Sequence, residues 1–207
     1  MSFVASVEAD DTSANETRQN EKLETVAVFG GSFNPPHVAH QLACVLARST
    51  RGADRVLVVP TYQHPFAKAL APYEDRLAMC EACMGHLPGV AISRVEAELG
   101  GESRTLRTLE HLTKVMPTAK LRLLVGADIL LEANKWHGWD RIVTLAPPMV
   151  LGRVGVSPPD APLQVLPDVS STRVRRALAS PGDDSAELRD LVPSAVLAYA
   201  RARDLYR

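Results

Sequence analysis

The sequence predicts an α/β fold: a parallel sheet with helices on both faces, completed by a helical C-terminal part. Three observations carry this. Short β-rich runs alternate with helical patterns, the arrangement of β-α-β units. The first run ends in a Gly-Gly pair followed by a histidine-bearing helix start. The last third of the chain has helical patterns with no strand between them.

Taken in order, residues 1–24 are polar and acidic without sustained periodicity and read as a flexible lead-in. From Thr25 the texture changes. Thr25-Val-Ala-Val-Phe29, Arg55-Val-Leu-Val-Val-Pro60 and Leu121-Arg-Leu-Leu-Val125 are strand-like, and Pro148–Leu151 and Leu163–Leu166 are weaker candidates. Helical patterns cover Val38–Ser49, Tyr73–Leu87 and Thr105–Val115, the last with Leu106, Leu109 and Leu112 on one face. Val90–Leu99 fits either strand or irregular structure. Val169–Ala179 and Pro193–Tyr206 read as helices and form a helical cap on the same domain. Residues 25–207 are thus expected to be one domain with a Rossmann-like, doubly wound parallel sheet. In such sheets ligands bind beyond the carboxyl ends of the strands, near the switch in strand order.

Composition narrows the function class. The chain has 207 residues, 46% hydrophobic and 23% charged, with a net charge of −1. That balance suits a globular protein and argues against a general nucleic-acid binder. No run approaches the ~18 apolar residues of a membrane span, and the N-terminus lacks a secretory pattern. Three cysteines, Cys44, Cys80 and Cys83, do not suggest a disulfide framework. Cys80 and Cys83 form a Cys-x-x-Cys inside a helical pattern with only His86 close by, so core packing is expected rather than a metal site. The expectation is a cytoplasmic protein with no nucleic-acid or membrane partner, and the sequence leaves homo-oligomer formation open.

The chemistry concentrates in Gly30-Gly31-Ser32-Phe33-Asn34-Pro35-Pro36-His37-Val38-Ala39-His40. Two glycines let backbone amides approach an anion, Ser32 adds a hydroxyl, and the prolines end the strand. The following helix points its N-terminus at the same place, where free amides favour phosphate. His37 and His40, three residues apart, share a face in the first helical turn and can stabilise charge during phosphoryl transfer. The glycine spacing is not that of the dinucleotide-binding fingerprint.

This string resembles the nucleotidyltransferase superfamily motif His/Thr-x-Gly-His. More widely it is similar to the bacterial nicotinate-nucleotide adenylyltransferases, where Gly-Gly-Thr-Phe-Asp-Pro-Pro-His-x-Gly-His is typical. Three later stretches match that family in order: Gly126-Ala127-Asp128 with Lys135-Trp136, Val169-Ser-Ser-Thr-Arg-Val-Arg175, and the ending from Leu191-Val192-Pro193 to Leu205-Tyr206-Arg207. The resemblance implies transfer of AMP from ATP to nicotinate mononucleotide, with pyrophosphate released and Mg²⁺ bound with the ATP. It implies that His37, His40 and Arg175 act on the phosphates. The ATP subsite would comprise Gly30, Gly31, Ser32, Phe33, Gly126, Asp128 (to the ribose), Ser170, Ser171 and Thr172. For the acceptor it implies Trp136 stacking on the pyridine ring, with Thr105, Arg104, His64 and Lys68 nearby, while Trp139 packs structurally. No residue is expected to be a dedicated metal ligand.

Each residue also has a plainer reading. Ser170-Ser171-Thr172 would cap a helix in any case. The arginines that follow in its first turns oppose the helix dipole, and an anion at that end removes the conflict. Asp128 could equally cap a helix, and His64 and Lys68 could lie in a solvated loop. Two departures from the family pattern stand out. Ala39 replaces the motif glycine, and Ser103-Arg104-Thr105 replaces Ser-Tyr-Thr. Nicotinamide mononucleotide or another phosphorylated acceptor, and a nucleotide-binding regulator without turnover, are the alternatives these departures leave open.

Overall fold

The structure, a computed structural model, describes residues 23–64, 69–132, 136–154, 164–180 and 186–207. Most of the expected lead-in over 1–24, together with Lys68 and Lys135, therefore lies outside the described residues.

The first half alternates strand and helix: β1 (Thr25–Gly31), α1 (Val38–Ser49), β2 (Arg55–Pro60), α2 (Tyr73–Cys80), β3 (Val90–Ile92), α3 (Val95–Leu99), α4 (Thr105–Val115) and β4 (Lys120–Gly126). The second half has α5 (Asp128–Glu132), α6 (Trp139–Leu145), β5 (Pro148–Arg153), β6 (Gln164–Leu166), α7 (Ser171–Leu178), α8 (Ala186–Leu191) and α9 (Ser194–Ala202). Val90–Leu99, expected as strand or irregular structure, is strand over Val90–Ile92 but helix over Val95–Leu99, whose five residues are too few for a helical period to declare. The expected helix Tyr73–Leu87 is α-helical only to Cys80 and continues as a π-helical turn over Glu81–Gly85. Gly85 closes that turn against the Glu81 carboxylate, which a side chain at this position would have to displace. Helices α5, α6 and α8 were not legible from the sequence, because segments of five to seven residues are too short for periodicity to declare.

All strand pairs are parallel, in the order β3-β2-β1-β4-β5-β6. Val28 of β1 lies opposite Leu57 of β2 on one side and Leu123 of β4 on the other. The chain thus winds outward in both directions from β1, and the crevice beyond the carboxyl ends of β1 and β4 is the switch point.

The two-residue period of the strands sorts the core into two layers. Val26 and Val28, with Leu121, Leu123 and Val125, face Leu109, Leu112 and Ile142 of α4 and α6. Ala27 and Leu124 face the opposite layer, where Ala43 and Cys44 of α1 meet Met79, Cys80, Cys83 and Met84. The cysteine pair is core packing: all three thiols are buried and free. Val174, Leu178, Leu188, Val196 and Leu197 of the C-terminal helices join this second layer, so the helical end shares the core of the sheet.

Candidate functional site

The loop between β1 and α1 is held from below by its own side chains. Phe33 adopts a left-handed conformation, φ 46°, uncommon for a residue with a Cβ. It is 2% exposed, and its ring meets Phe29 and His40 edge-on at 5.4 and 4.9 Å between centroids. The Asn34–Pro35 peptide is cis. His37 occupies the N-cap of α1, and its backbone N–H donates to Nδ1 of His40 at 3.1 Å. The two imidazoles stack at 3.8 Å between centroids, the one buried and the other half-buried. Gly30 is exposed, and a Cβ there would meet nothing within 4 Å, so the bare backbone faces open space. Ala39 is 7% exposed, its methyl belonging to the cluster of Phe33, Ala43 and Cys44.

Helix α7 approaches from the far end of the chain. Ser170 is its N-cap and accepts from the Arg173 amide at 3.3 Å, which realises the capping reading. Ser171 instead donates its hydroxyl to the Pro35 carbonyl at 2.8 Å, and Arg175 donates Nη1 to the Asn34 carbonyl at 2.7 Å. A second Arg175 nitrogen reaches Thr172 Oγ1 at 3.2 Å. The Ser171 and Arg175 bonds to the loop carbonyls join residues more than a hundred positions apart and fix α7 to the histidine loop. From β4, Gly126 gives way to Asp128, the first residue of α5. The Asp128 carboxylate lies against Gly126, so any side chain at that position would have to displace it.

The opposite wall holds the remaining candidates. Ser103 Oγ accepts from the Tyr62 amide at 2.8 Å and from the Gln63 amide at 3.3 Å, fastening the segment after β2. Arg104 is the N-cap of α4, and its guanidinium pairs with Glu102 at 2.8 Å while remaining exposed. Trp136 and Trp139 meet edge-on at 5.8 Å. Both pack on the α4–α6 layer, so Trp136 shares the structural contact expected of Trp139.

Together these elements enclose a cleft of about 650 Å³ at the switch point. That volume lies within the range of small-molecule sites. Every site residue expected from the sequence borders this one cleft, except Lys68, which lies outside the described residues. Among the described residues no group of three His, Cys, Asp or Glu is gathered as a metal site. None of their helices is long and apolar enough to cross a membrane.

The tertiary structure adds residues to which sequence reasoning gave no role. Asn34 is 2% exposed, and its Oδ1 accepts from the Tyr206 hydroxyl at 2.9 Å and the Ala71 amide at 3.0 Å. Burial pushes the Tyr206 hydroxyl pKa up, so the proton in that bond is retained. Glu96, also buried, accepts from the Tyr62 amide at 3.1 Å and the Thr108 hydroxyl at 3.2 Å. Arg76 is 1% exposed, and burial lowers its pKa, although a guanidinium stays protonated in proteins. An arginine within a helical run gives no sequence signal of this kind, because most are solvated.

Comparison with known proteins agrees with this geometry. Residues 28–177 match the family model described as cytidylyltransferase-like. A protein of Anaeromyxobacter dehalogenans strain 2CP-C, named "Probable nicotinate-nucleotide adenylyltransferase", is 50% identical over 186 residues, covering 88% of this chain and 96% of its own. A Myxococcus xanthus protein of the same name is 41% identical over 182 residues, covering 87% and 94%. Among solved structures, the Plasmodium falciparum nicotinic acid mononucleotide adenylyltransferase complexed with NaAD superposes with a TM-score of 0.77. It covers 88% of this chain and 97% of its own, and at 15% identity that likeness speaks to the fold. With half of the aligned residues identical to such a relative over most of both lengths, the chain belongs to the cytidylyltransferase-like family, among the nicotinate-nucleotide adenylyltransferases.

Proposed function

We propose that this chain transfers AMP from ATP to nicotinate mononucleotide, giving nicotinate adenine dinucleotide and pyrophosphate, a step in NAD biosynthesis. The observation that carries the reading is convergence. The histidine loop after β1, the Gly126–Asp128 turn after β4 and the Ser170–Arg175 start of α7 border one cleft at the switch point. The name of the relatives matched over most of their length points the same way.

In this reaction an oxygen of the acceptor's phosphate attacks the α-phosphorus of ATP. A new P–O bond forms there as the bond to the bridging β-oxygen breaks, and pyrophosphate leaves with the electron pair. No bond to the protein is needed, so catalysis is positioning and charge neutralisation. His37 and His40 donate to the phosphates as charge develops, and Arg175 and Ser171 hold the β- and γ-phosphates beside the loop carbonyls they already contact. The Gly30–Phe33 backbone lies against the nucleotide, and Asp128 accepts from the adenosine ribose. On the other wall Trp136 stacks on the pyridine ring, Arg104 faces its carboxylate, and Thr105 and His64 complete the acceptor subsite, to which the family resemblance adds Lys68 outside the described residues. Mg²⁺ enters on the triphosphate, which suits an ion that takes few ligands from protein. We read residues 25–207 as the catalytic domain, residues 1–24 as a lead-in, and the cytoplasm as the place of work.

Pyrophosphate release from Mg-ATP, measured with each candidate acceptor in turn, tests the reading. Release with nicotinate mononucleotide, well above that with nicotinamide mononucleotide or phosphopantetheine, is expected. Tight ATP binding without release for any of the three would favour a regulator.

A further inference from the structure

Beneath the cleft lies a buried cation that the reaction described above does not use. Arg76 of α2 is 1% exposed, and no ion pair with a carboxylate is formed by it among the described residues. Its nitrogens instead reach three backbone carbonyls. Nε donates to Ala71 at 2.9 Å, Nη1 to Ser32 at 3.0 Å, and Nη2 approaches Tyr62 at 3.5 Å. Its guanidinium also lies 5.5 Å from the centre of the Tyr73 ring. Taking a full charge out of water to satisfy neutral carbonyls is costly, and one apolar side chain could fill the same volume. The arrangement calls for a reason other than packing.

The three carbonyls supply one. Ser32 belongs to the histidine loop, and Tyr62 opens the segment that Ser103 fastens on the acceptor side of the cleft. Ala71 precedes α2, and its amide returns to Asn34 Oδ1 in the same histidine loop. A single planar guanidinium therefore sets the spacing between the two walls. It also orients one peptide. The C=O and N–H of a trans peptide point in opposite directions. Drawing the Ser32 carbonyl down to Arg76 turns the Phe33 N–H the other way, and Ser32 and Phe33 both border the cleft. The left-handed Phe33 backbone is held in place by the same bond.

We propose that Arg76 is a positioning residue for the reaction: it aims the Phe33 amide at the nucleotide phosphates and holds the acceptor wall in register with the phosphate loop. Lysine cannot reproduce this, because an ammonium on a flexible stem lacks the fixed fork that meets three separated carbonyls.

The inference rests on the reading of the cleft as an ATP site, and the test separates the two. Arg76→Lys and Arg76→Ala are made in the full chain. Their fold is checked by circular dichroism and their ATP affinity by calorimetry, and turnover is followed with Mg-ATP and nicotinate mononucleotide. Misplacement of the reacting groups by a fraction of an ångström to one ångström is expected to lower kcat/KM by about 10²-fold in folded Arg76→Lys. KM should rise for both substrates, because both walls are displaced. Millimolar guanidinium ion, filling the space left in Arg76→Ala, should restore part of the turnover, which a merely structural role would not produce. Folded variants with wild-type ATP affinity and turnover would overturn the proposal, and loss of fold in both would assign Arg76 to stability alone and overturn it as well. If wild type binds ATP but is inactive with nicotinate mononucleotide, the acceptor reading fails, and weakened ATP binding in Arg76→Lys still supports the positioning role.

Discussion

Replacing His40 separates what its ring does for the fold from what it does for the reaction. In the structure Nδ1 accepts the His37 N–H at 3.1 Å, one half of a capping box at the start of α1. Losing an N-terminal capping interaction costs about 0.5–2 kcal/mol. For a chain of this size that lowers Tm by about 2–4 °C per kcal/mol. Losing a donor that stabilises transition-state charge costs roughly 10²–10³-fold in kcat, or about 2.7–4 kcal/mol. The two effects cannot be confused. A domain stable by about 5–15 kcal/mol that loses about 2 remains more than about 99% folded, so destabilisation cannot produce a hundredfold loss of turnover. His40→Ala should therefore show both effects. His40→Asn should recover much of the stability, because its side-chain oxygen lies close to where Nδ1 accepts, and stay slow, because nothing replaces Nε2. Thermal unfolding and pyrophosphate release on the same preparations decide the matter. Turnover of His40→Ala within about threefold of wild type would refute the phosphate role. Full recovery of turnover in His40→Asn would show that only the cap mattered.

Three further outcomes are expected. Trp136→Ala should raise the acceptor KM by about tenfold, since stacking contributes roughly 0.5–1.5 kcal/mol beyond area burial. Its ATP KM should hardly move, and equal changes in both would rule out stacking on the acceptor. Arg104→Ala should impair use of nicotinate mononucleotide far more than of nicotinamide mononucleotide, because only the former offers a carboxylate for a charge-assisted pair. Similar losses with both would mean that Arg104 stays with Glu102 and does not read the acceptor. Burial first, and then the neighbouring Cys83, pushes the Cys44 thiol up to about 12; burial does the same to Cys83, and Cys80 is raised as well. Folding keeps these thiols protonated while the unfolded chain ionises from about pH 8.5, so stability is complete below that pH and falls above it, by up to about 1.4 kcal/mol per pH unit for each thiol. Tm measured from neutral to alkaline pH should fall less steeply in Cys44→Ala, and an unchanged slope would contradict the assignment.

Much of the molecule was legible in the sequence because it is coded locally. The strands β1, β2 and β4 are runs of β-branched and aliphatic residues, and α1 and α4 repeat their apolar residues at helical spacing. The Gly30–His40 string carries its own turn, helix start and chemistry. The alternation of these elements implied a parallel sheet, and with it a site at the strand ends. Other features depend on which distant segments meet, and no local period encodes that. The order of strands brings Arg175 to the Asn34 carbonyl and Tyr206 to the Asn34 side chain across most of the chain. In the sequence Asn34 is one more loop residue, and in the fold its oxygen lies between the Tyr206 hydroxyl and the Ala71 amide. In the sequence Arg76 is one more helical arginine, and in the fold three carbonyls surround it. A buried polar group must find its partners within the fold, and for these residues the partners come from segments joined only by the tertiary structure. The sequence by itself determined the main strands and the longer helices, the switch-point site and the histidine motif. The packing of α7 and the C-terminal turn beneath that motif, and the buried cation that spans its two walls, were decided by the three-dimensional fold alone.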